Sequence, residues 1–286
     1  MACGPKLKRT RFAPSPTGLL HLGHAYAALT AAGRASPGEF LLRIEDIDAA
    51  RCRPEFEAAI YEDLAWLGLD WPRPVLRQSE RREAYDAALN RLISLGLCYP
   101  CRCTRGDIRA ALSAPQEGAP MAGPDGLIYP GTCRGRSMED AGPEEAIRLD
   151  MAKALALLEG VPLAFTETGP VHPGDHKLDE ERLLTHVGHV ILSRASIGTS
   201  YHLAVVVDDA AQGITEVTRG EDLFEATQIH VVLQKLLELH TPSYHHHTLI
   251  RDNTGKRLAK RDDARAIRRY RDEGETPADV RIRIGL

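Results

Sequence analysis

An α/β fold built on a doubly wound parallel sheet is the class this sequence predicts. Three observations predict it. Strand-like and helix-like segments alternate from Thr10 to Leu95, the rhythm of βαβ units. A proline- and glycine-rich loop joins the first strand to the first helix, where such folds hold ligands. Near Leu97 the rhythm breaks into a stretch rich in Cys, Gly and Pro that runs to about Pro173, which reads as an insertion.

The elements follow in order. Thr10-Arg11-Phe12-Ala13 is a short strand that enters Pro14-Ser15-Pro16-Thr17-Gly18, a loop stiffened by its prolines. Leu22 to Arg34 is Ala-rich and helical, and Glu39 to Ile44 is a second, mostly buried strand. Pro54 opens a helix at its first turn, running to about Leu67, and Glu80 to Leu95 is another amphipathic helix. After the insertion, Tyr201-His202-Leu203-Ala204-Val205-Val206-Val207 is apolar and β-branched and predicts a strand; a helix follows from Leu223 to Leu239. The last segment holds a turn at Asp252-Asn253-Thr254-Gly255 and then a basic helix.

Composition bounds the function classes. The 286 residues are 43% hydrophobic and 27% charged, enough for one large or two modest globular domains. The opening residues lack an apolar signal-peptide core, and no apolar run approaches about 18 residues. A cytoplasmic protein without a membrane partner is expected. Net charge is −4, so the whole chain is not a polybasic nucleic-acid binder. Arg251 to Arg271, however, holds nine Lys or Arg against three Asp, a local basic strip suited to phosphates.

Two segments carry the chemistry. His21-Leu22-Gly23-His24 opens the first helix, whose free N–H groups and positive dipole end suit an anion. Gly18 and Gly23 permit close phosphate approach, and two imidazoles three residues apart share one face and can each donate to a phosphate oxygen. Lys256-Arg257-Leu258-Ala259-Lys260-Arg261 can close on a triphosphate and bring a cation to the leaving pyrophosphate.

In this order and separation, the two segments resemble the HIGH and KMSKS signatures of class I aminoacyl-tRNA synthetases. Arg11 to Gly18, Arg43-Ile44-Glu45-Asp46-Ile47-Asp48 and Thr218-Arg219-Gly220-Glu221-Asp222-Leu223 are similar to the glutamyl branch. The resemblance spans about Arg9 to Asp263. It departs at Arg257, where the family has Lys, and at Ala259, where it has Ser; Lys260 is retained. Only 26 residues follow Lys260, too few for a further unsupported domain of about 40 residues. That matches the short paralogues of the branch, which lack the anticodon-binding domain and place glutamate on the queuosine base in the anticodon of tRNA(Asp).

The resemblance implies a Rossmann-type catalytic domain from residues 1–96 and 190–240, an inserted zinc-containing subdomain at 97–189, and a signature loop with a short helical tail at 241–286. It implies ATP, accompanied by Mg2+, at Pro16, Gly18, His21, Gly23, His24, Leu258 and Lys260, with His21, His24 and Lys260 stabilising the reacting phosphate. It implies L-glutamate at Arg11, Phe12, Ala13, Pro14, Ser15, Glu45, Tyr201 and Arg219. The arginines can fork onto carboxylates, Glu45 can hold the ammonium, and Tyr201 can wall the pocket. A monomer is expected. Charging of a tRNA 3′ end and a catalytically idle tRNA-binding paralogue are the competing readings, with a small-metabolite nucleotidylyltransferase as a third.

Four of the six cysteines lie between Cys98 and Cys133, a crowding that suggests metal over disulfide in a reducing compartment. Cys101-x-Cys103 with Cys133 suits structural Zn2+. The short paralogues complete the set with a tyrosine, here Tyr129; Cys98 is the alternative fourth ligand. Other features read as structural. His245-His246-His247 alternate faces on a strand and cannot converge on one metal. His202 faces away from Tyr201 across the expected strand, as a structural residue or tRNA contact. Asp208-Asp209 reads as a strand-end turn or a contact to ATP ribose or tRNA. Trp66 and Trp71 belong to the core or an interface, and Arg265, Arg268, Arg269 and Arg271 are candidate tRNA backbone contacts.

Overall fold

The computed structural model describes residues 7–112, 122–250 and 265–286. The turn expected at Asp252–Gly255 and the second signature, with Leu258 and Lys260, lie outside the described residues.

Strand β1 (Lys8–Phe12) pairs in parallel with β2 (Gly38–Ile44) across helix α1 (Leu22–Ala35), placing Arg11 opposite Leu41. Helix α2 (Pro54–Trp66) starts on its proline with Glu55 and Glu57 in the first turn, where they favour the dipole. It leads to the short β3 (Leu76–Arg77), also parallel to β2, and to α3 (Arg82–Ser94).

The Cys-rich stretch begins with β4 (Cys98–Cys101), α4 (Arg105–Leu112) and a small hairpin, β5 (Ala122–Gly123) with β6 (Gly126–Leu127). Strand β7 (Ala146–Leu149) pairs antiparallel with β4, and α5 (Met151–Leu157) follows. Next come β8 (Ala164–Glu167), β9 (Gly174–Lys177), the single turn α6 (Glu180–Arg182), and β10 (Ile191–Ser193), which pairs with β7. Strands β8 and β9 join the second half of the parallel sheet rather than the β4–β7–β10 sheet.

That second half comprises α7 (Tyr201–Ala211), β11 (Glu216–Gly220), α8 (Thr227–Leu236) and β12 (Ser243–His247), with β11, β12 and β8 parallel. The two halves meet where β1 runs beside β11: the Thr215 N–H donates to the Arg9 carbonyl at 2.9 Å. Helices α9 (Ile267–Asp272) and α10 (Pro277–Ile284) close the chain, α10 capped by Thr276 and Asp279. Ile267, Tyr270, Val280 and Ile284 pack into the core formed by β1, β2, α1 and α2. No helix among the described residues is long and apolar enough to cross a membrane.

One element differs from the sequence expectation. Residues 201–207, predicted as a strand, are the first two turns of α7. An apolar run of this length looks alike in a buried strand and a helix buried all round. Here Leu203, Ala204, Val205 and Val206 are all buried, and the Ser200 hydroxyl caps the helix by accepting the Leu203 N–H at 3.2 Å. Packing outweighs the β preference of three consecutive valines. Asp208 and Asp209 are therefore not at a strand end but inside the helix, both buried. Asp208 accepts from Gln78, Arg81 and the Tyr85 hydroxyl at 2.8–2.9 Å, tying α7 to α3. Asp209 accepts from Arg11 and Arg43. Neither carboxylate is placed to hold ribose or nucleic acid.

Burial alone would raise Asp209, but Arg11 and Arg43 outweigh it and hold the carboxyl at about 2, against an ordinary 3.8. Glu167 is likewise held at about 2 against 4.5, its burial outweighed by hydrogen bonds from His246 and Gly169. Carboxyls depressed by folding add stability that is complete above their ordinary values and lost as they protonate in the fold. Unfolding free energy measured in urea is expected to decline gently from pH 7 to about pH 5, because buried histidines held below their ordinary value, His230 and His246 among them, take up protons on unfolding. It should decline more steeply below that through the two carboxyls. It should fall by about 2 kcal/mol per group between roughly pH 4.5 and pH 2, and Asp209→Asn should flatten that acid slope.

Candidate active site and metal centre

The loop after β1 is fixed by backbone bonds to β2 and to the start of α2. Glu45 N–H donates to Pro14 O at 3.1 Å and Arg53 N–H to Pro16 O at 3.0 Å. Pro14 and Pro16 are buried, while Ala13, Ser15, Thr17 and Gly18 are half-buried. Ser15, Thr17, Glu45, Asp125, Tyr201 and His202 are among the residues lining one cavity of about 230 Å3. Phe12 lies in the core beneath.

At the start of α1 both histidines act as caps. His21 Nδ1 accepts the Gly23 N–H and His24 Nδ1 accepts the His21 N–H, each at 3.1 Å. Accepting at Nδ1 leaves the proton of each neutral ring on Nε2. A Cβ on Gly23 would stand 3.0 Å from the His21 ring, so this glycine makes room for the cap. Ala266 and Ile267 dock on the same turn: Ala266 bridges to His21, and Ile267 N–H donates to Leu20 O at 2.8 Å. His21 and His24 lie outside the lining of the 230 Å3 cavity.

The two arginines expected to face carboxylates have different surroundings. Arg11 forks onto Asp209, with Nε to Oδ1 at 2.9 Å and Nη2 to Oδ2 at 3.2 Å, so its charge is met within the protein. Fully buried Arg43 also reaches Asp209, at 2.7 Å, and reaches Glu45 at 3.2 Å. Burial raises the Glu45 carboxyl against the pull of Arg43 and Arg11. Arg219 lies within β11 and is 7% exposed. It donates to His246 Nε2 at 3.0 Å, His230 Nδ1 at 3.0 Å, the Leu223 carbonyl at 3.2 Å and Thr227 Oγ1 at 2.8 Å. Among the described residues no carboxylate pairs with it. Burial raises the Tyr201 phenol, with Arg219 and Arg11 lowering it and Glu45 raising it, so these four groups share one electrostatic neighbourhood.

The sequence did not reveal the partners of Arg219. His246, from the triple-histidine run, donates from Nδ1 to Glu167 Oε2 at 2.5 Å, and its neighbours in the run point elsewhere, as strand alternation requires. His202 bonds to His230 and Asp125; on a helix, it is not directed away from Tyr201 as a strand would have it. Asp125 carried no sequence signal, since only the folding of the insertion brings it to the cavity.

In the insertion, Cys101, Cys103 and Cys133 have their sulfurs within 4.8 Å of one another. Cys103 Sγ is 3.5 Å from Cys133 Sγ and 3.3 Å from the Tyr129 hydroxyl. Tetrahedral zinc with bonds near 2.3 Å needs sulfurs about 3.8 Å apart, so the donors fit. Burial would raise the Cys133 thiol, but hydrogen bonds from Tyr129 and the backbone of Arg102 bring it down to about 7, close to the thiolate a metal needs. The Arg148 guanidinium stacks over the Tyr129 ring at 3.9 Å. Cys98 faces the other side of β4 and packs with Leu89 and Leu92 in a different core. Burial pushes its thiol up to about 12.

Comparison with known proteins agrees with this geometry. A family model described as tRNA synthetases class I (E and Q), catalytic domain, matches residues 8–155 and 168–285. A glutamyl-Q tRNA(Asp) synthetase of Rhodobacter capsulatus is 59% identical over 282 residues, covering 97% of this chain and 99% of its own. One from Nocardia farcinica is 42% identical, over 94% and 81%. Among solved structures, the glutamate-tRNA synthetase of Elizabethkingia anophelis superposes with a TM-score of 0.71 at 27% identity, over 95% of this chain. The chain spans 60% of that enzyme's length. The chain belongs to the class I tRNA synthetases of the glutamate and glutamine group.

Proposed function

We propose that this protein activates glutamate with ATP, without tRNA, and transfers the glutamyl group to the queuosine base in the anticodon of tRNA(Asp). The observation that carries the glutamate assignment is Arg219. A buried guanidinium that no carboxylate among the described residues pairs with is costly, and a substrate carboxylate would complete it. Glu45, which like Arg219 acts on the Tyr201 phenol, suits the substrate ammonium, and Tyr201 and Ser15 wall the cavity. Arg11 would contribute through the N–H groups that Asp209 and Thr218 leave over. Ala13, Pro14 and Phe12 shape and support the loop. The choice of acceptor is supported by the names of the full-length relatives.

In this reading the α-carboxylate of glutamate attacks the α-phosphorus of ATP, carried with Mg2+, and pyrophosphate leaves. The Nε2–H groups of His21 and His24 and the N-terminus of α1 meet the growing negative charge. Pro16, Gly18, Gly23 and Leu258 frame the nucleotide, and Lys260 supplies the late cation. No side chain serves as a covalent nucleophile. A hydroxyl of the modified base then displaces AMP from the adenylate. The catalytic part is residues 1–96 with the sheet of β11, β12, β8 and β9, so that β8 and β9, expected within an insertion at 97–189, and β12, expected in a tail at 241–286, belong to it instead. The insertion keeps β4 to β7 and β10, and the signature loop and tail follow β12. Cys101, Cys103, Tyr129 and Cys133 would hold zinc as a closed structural site with no position open for substrate.

Glutamate-dependent ATP–pyrophosphate exchange without tRNA is expected, followed by glutamate transfer to tRNA(Asp) that carries queuosine and not to the unmodified tRNA. Equal transfer to both, or charging of a 3′ end, overturns the acceptor; no exchange overturns the activity. Glutamate at one hundred times its Kd should stabilise the fold by about 2.7 kcal/mol. A melting scan is expected to show this upward shift, and Arg219→Gln should abolish it while raising the glutamate KM about a hundredfold. Metal analysis should find one zinc per chain. Cys103→Ser is expected to lose it and lower the melting temperature, whereas Cys98→Ala should retain it.

A further inference from the structure

Arginine can only donate hydrogen bonds, so Arg219 dictates the proton positions of everything bonded to it. Its Nη1 donates to His230 Nδ1, which must be bare, leaving the His230 proton on Nε2. That Nε2–H donates to His202 Nδ1 at 3.0 Å, and so the His202 proton is also on Nε2, where it reaches Asp125 Oδ1 at 3.3 Å. On the opposite side, Nε of Arg219 donates to His246 Nε2, and His246 Nδ1–H donates to Glu167. The guanidinium is thus clamped between two imidazole arms, each ending on a carboxylate. His202, His230 and His246 are all at least 95% buried.

The arms end differently. Glu167 is fully buried and also accepts from the His246 and Gly169 N–H groups, so that arm is fixed to the sheet. Asp125 keeps 25% of its side chain exposed and lines the 230 Å3 cavity. It sits in the turn between β5 and β6, four residues before Tyr129 of the cysteine cluster. The orientation of the cation therefore depends, through two histidines, on a turn of the insertion.

We infer that Asp125, His202 and His230 are positioning residues for glutamate recognition, holding the Arg219 guanidinium through one ordered hydrogen-bond chain that couples the glutamate pocket to the Cys-rich insertion. This rests on the proposed role of Arg219 as the partner of the substrate carboxylate.

The test measures KM for glutamate, KM for ATP and kcat in ATP–pyrophosphate exchange. The proteins are the full-length wild type, His202→Phe, His202→Gln and Asp125→Ala. His202→Phe keeps the ring volume and breaks the chain. It should raise the glutamate KM about tenfold, with kcat and the ATP KM within about twofold. His202→Gln, whose amide can accept from His230 and donate to Asp125, should recover most of the loss. Asp125→Ala, on a half-exposed turn, should raise the glutamate KM about threefold. Imidazole 15N spectra of the wild type should show His202 and His230 both protonated at Nε2. Wild-type glutamate KM in both His202→Phe and Asp125→Ala overturns the inference alone, as does an Nδ1-protonated His202. If His202→Phe does not fold, Asp125→Ala and the spectra decide. Absence of glutamate-dependent exchange in the wild type overturns the functional reading and this inference with it.

Discussion

The Asp209 carboxylate holds the site together. It accepts hydrogen bonds from Arg11 on β1 and Arg43 on β2, from its own place on α7. Three elements distant in sequence are thereby locked at one point, and each carries a residue of the candidate pocket. Arg43 passes the constraint to Glu45, two residues along the same strand end, and α7 presents Tyr201 at its first position. Two buried guanidinium ions against one buried carboxylate leave an excess of positive charge, which the neighbouring Glu45 balances. Buried charge of this kind is tolerated where each group is hydrogen-bonded, and here both guanidinium groups bond to Asp209, while Arg43 Nε has no hydrogen-bond partner among the described residues.

The same logic isolates Arg219. Its neighbours are histidines, a hydroxyl and a carbonyl, all acceptors without full charge. Burial and the field of Arg219 hold His230 well below its ordinary value, and burial lowers His246 as well, so these rings stay neutral and able to accept. The described residues give this cation four neutral acceptors and no anion. That asymmetry between Arg11, already neutralised, and Arg219, not neutralised, divides their expected roles more sharply than their shared residue type suggests.

Much of this was legible in the sequence where local chemistry decides structure. The proline opening α2, the glycine after His21 and the alternation of β1 and β2 each act within a few residues, and the expected elements appear there. The cysteine cluster was legible because ligand chemistry restricts spacing. What was not legible depends on tertiary packing. Residues 201–207 form a helix because they are surrounded by apolar neighbours, a fact no window of seven residues contains. Apart from Leu223 in its own motif, the acceptors of Arg219 come from α8 and β12, with His202 behind them on α7 and Asp125 in the insertion. None of these others shares a motif with it.

The helical state of residues 201–211 has a consequence that a strand would not allow. On a helix, Tyr201, His202, Asp208 and Asp209 occupy two ends of one rigid rod about 16 Å long. Tyr201 and His202 face the cavity at its N-terminal end, while Asp208 and Asp209 anchor the far end to α3, β1 and β2. A strand would have sent Tyr201 and His202 to opposite faces, separating the pocket wall from the imidazole that bonds to His230. The helix instead lets one element both close the pocket and carry the first link of the chain toward Arg219. The position of the guanidinium, the orientation of the phenol and the packing of α3 are therefore one constraint, and disturbing any of them is transmitted along α7 to the others.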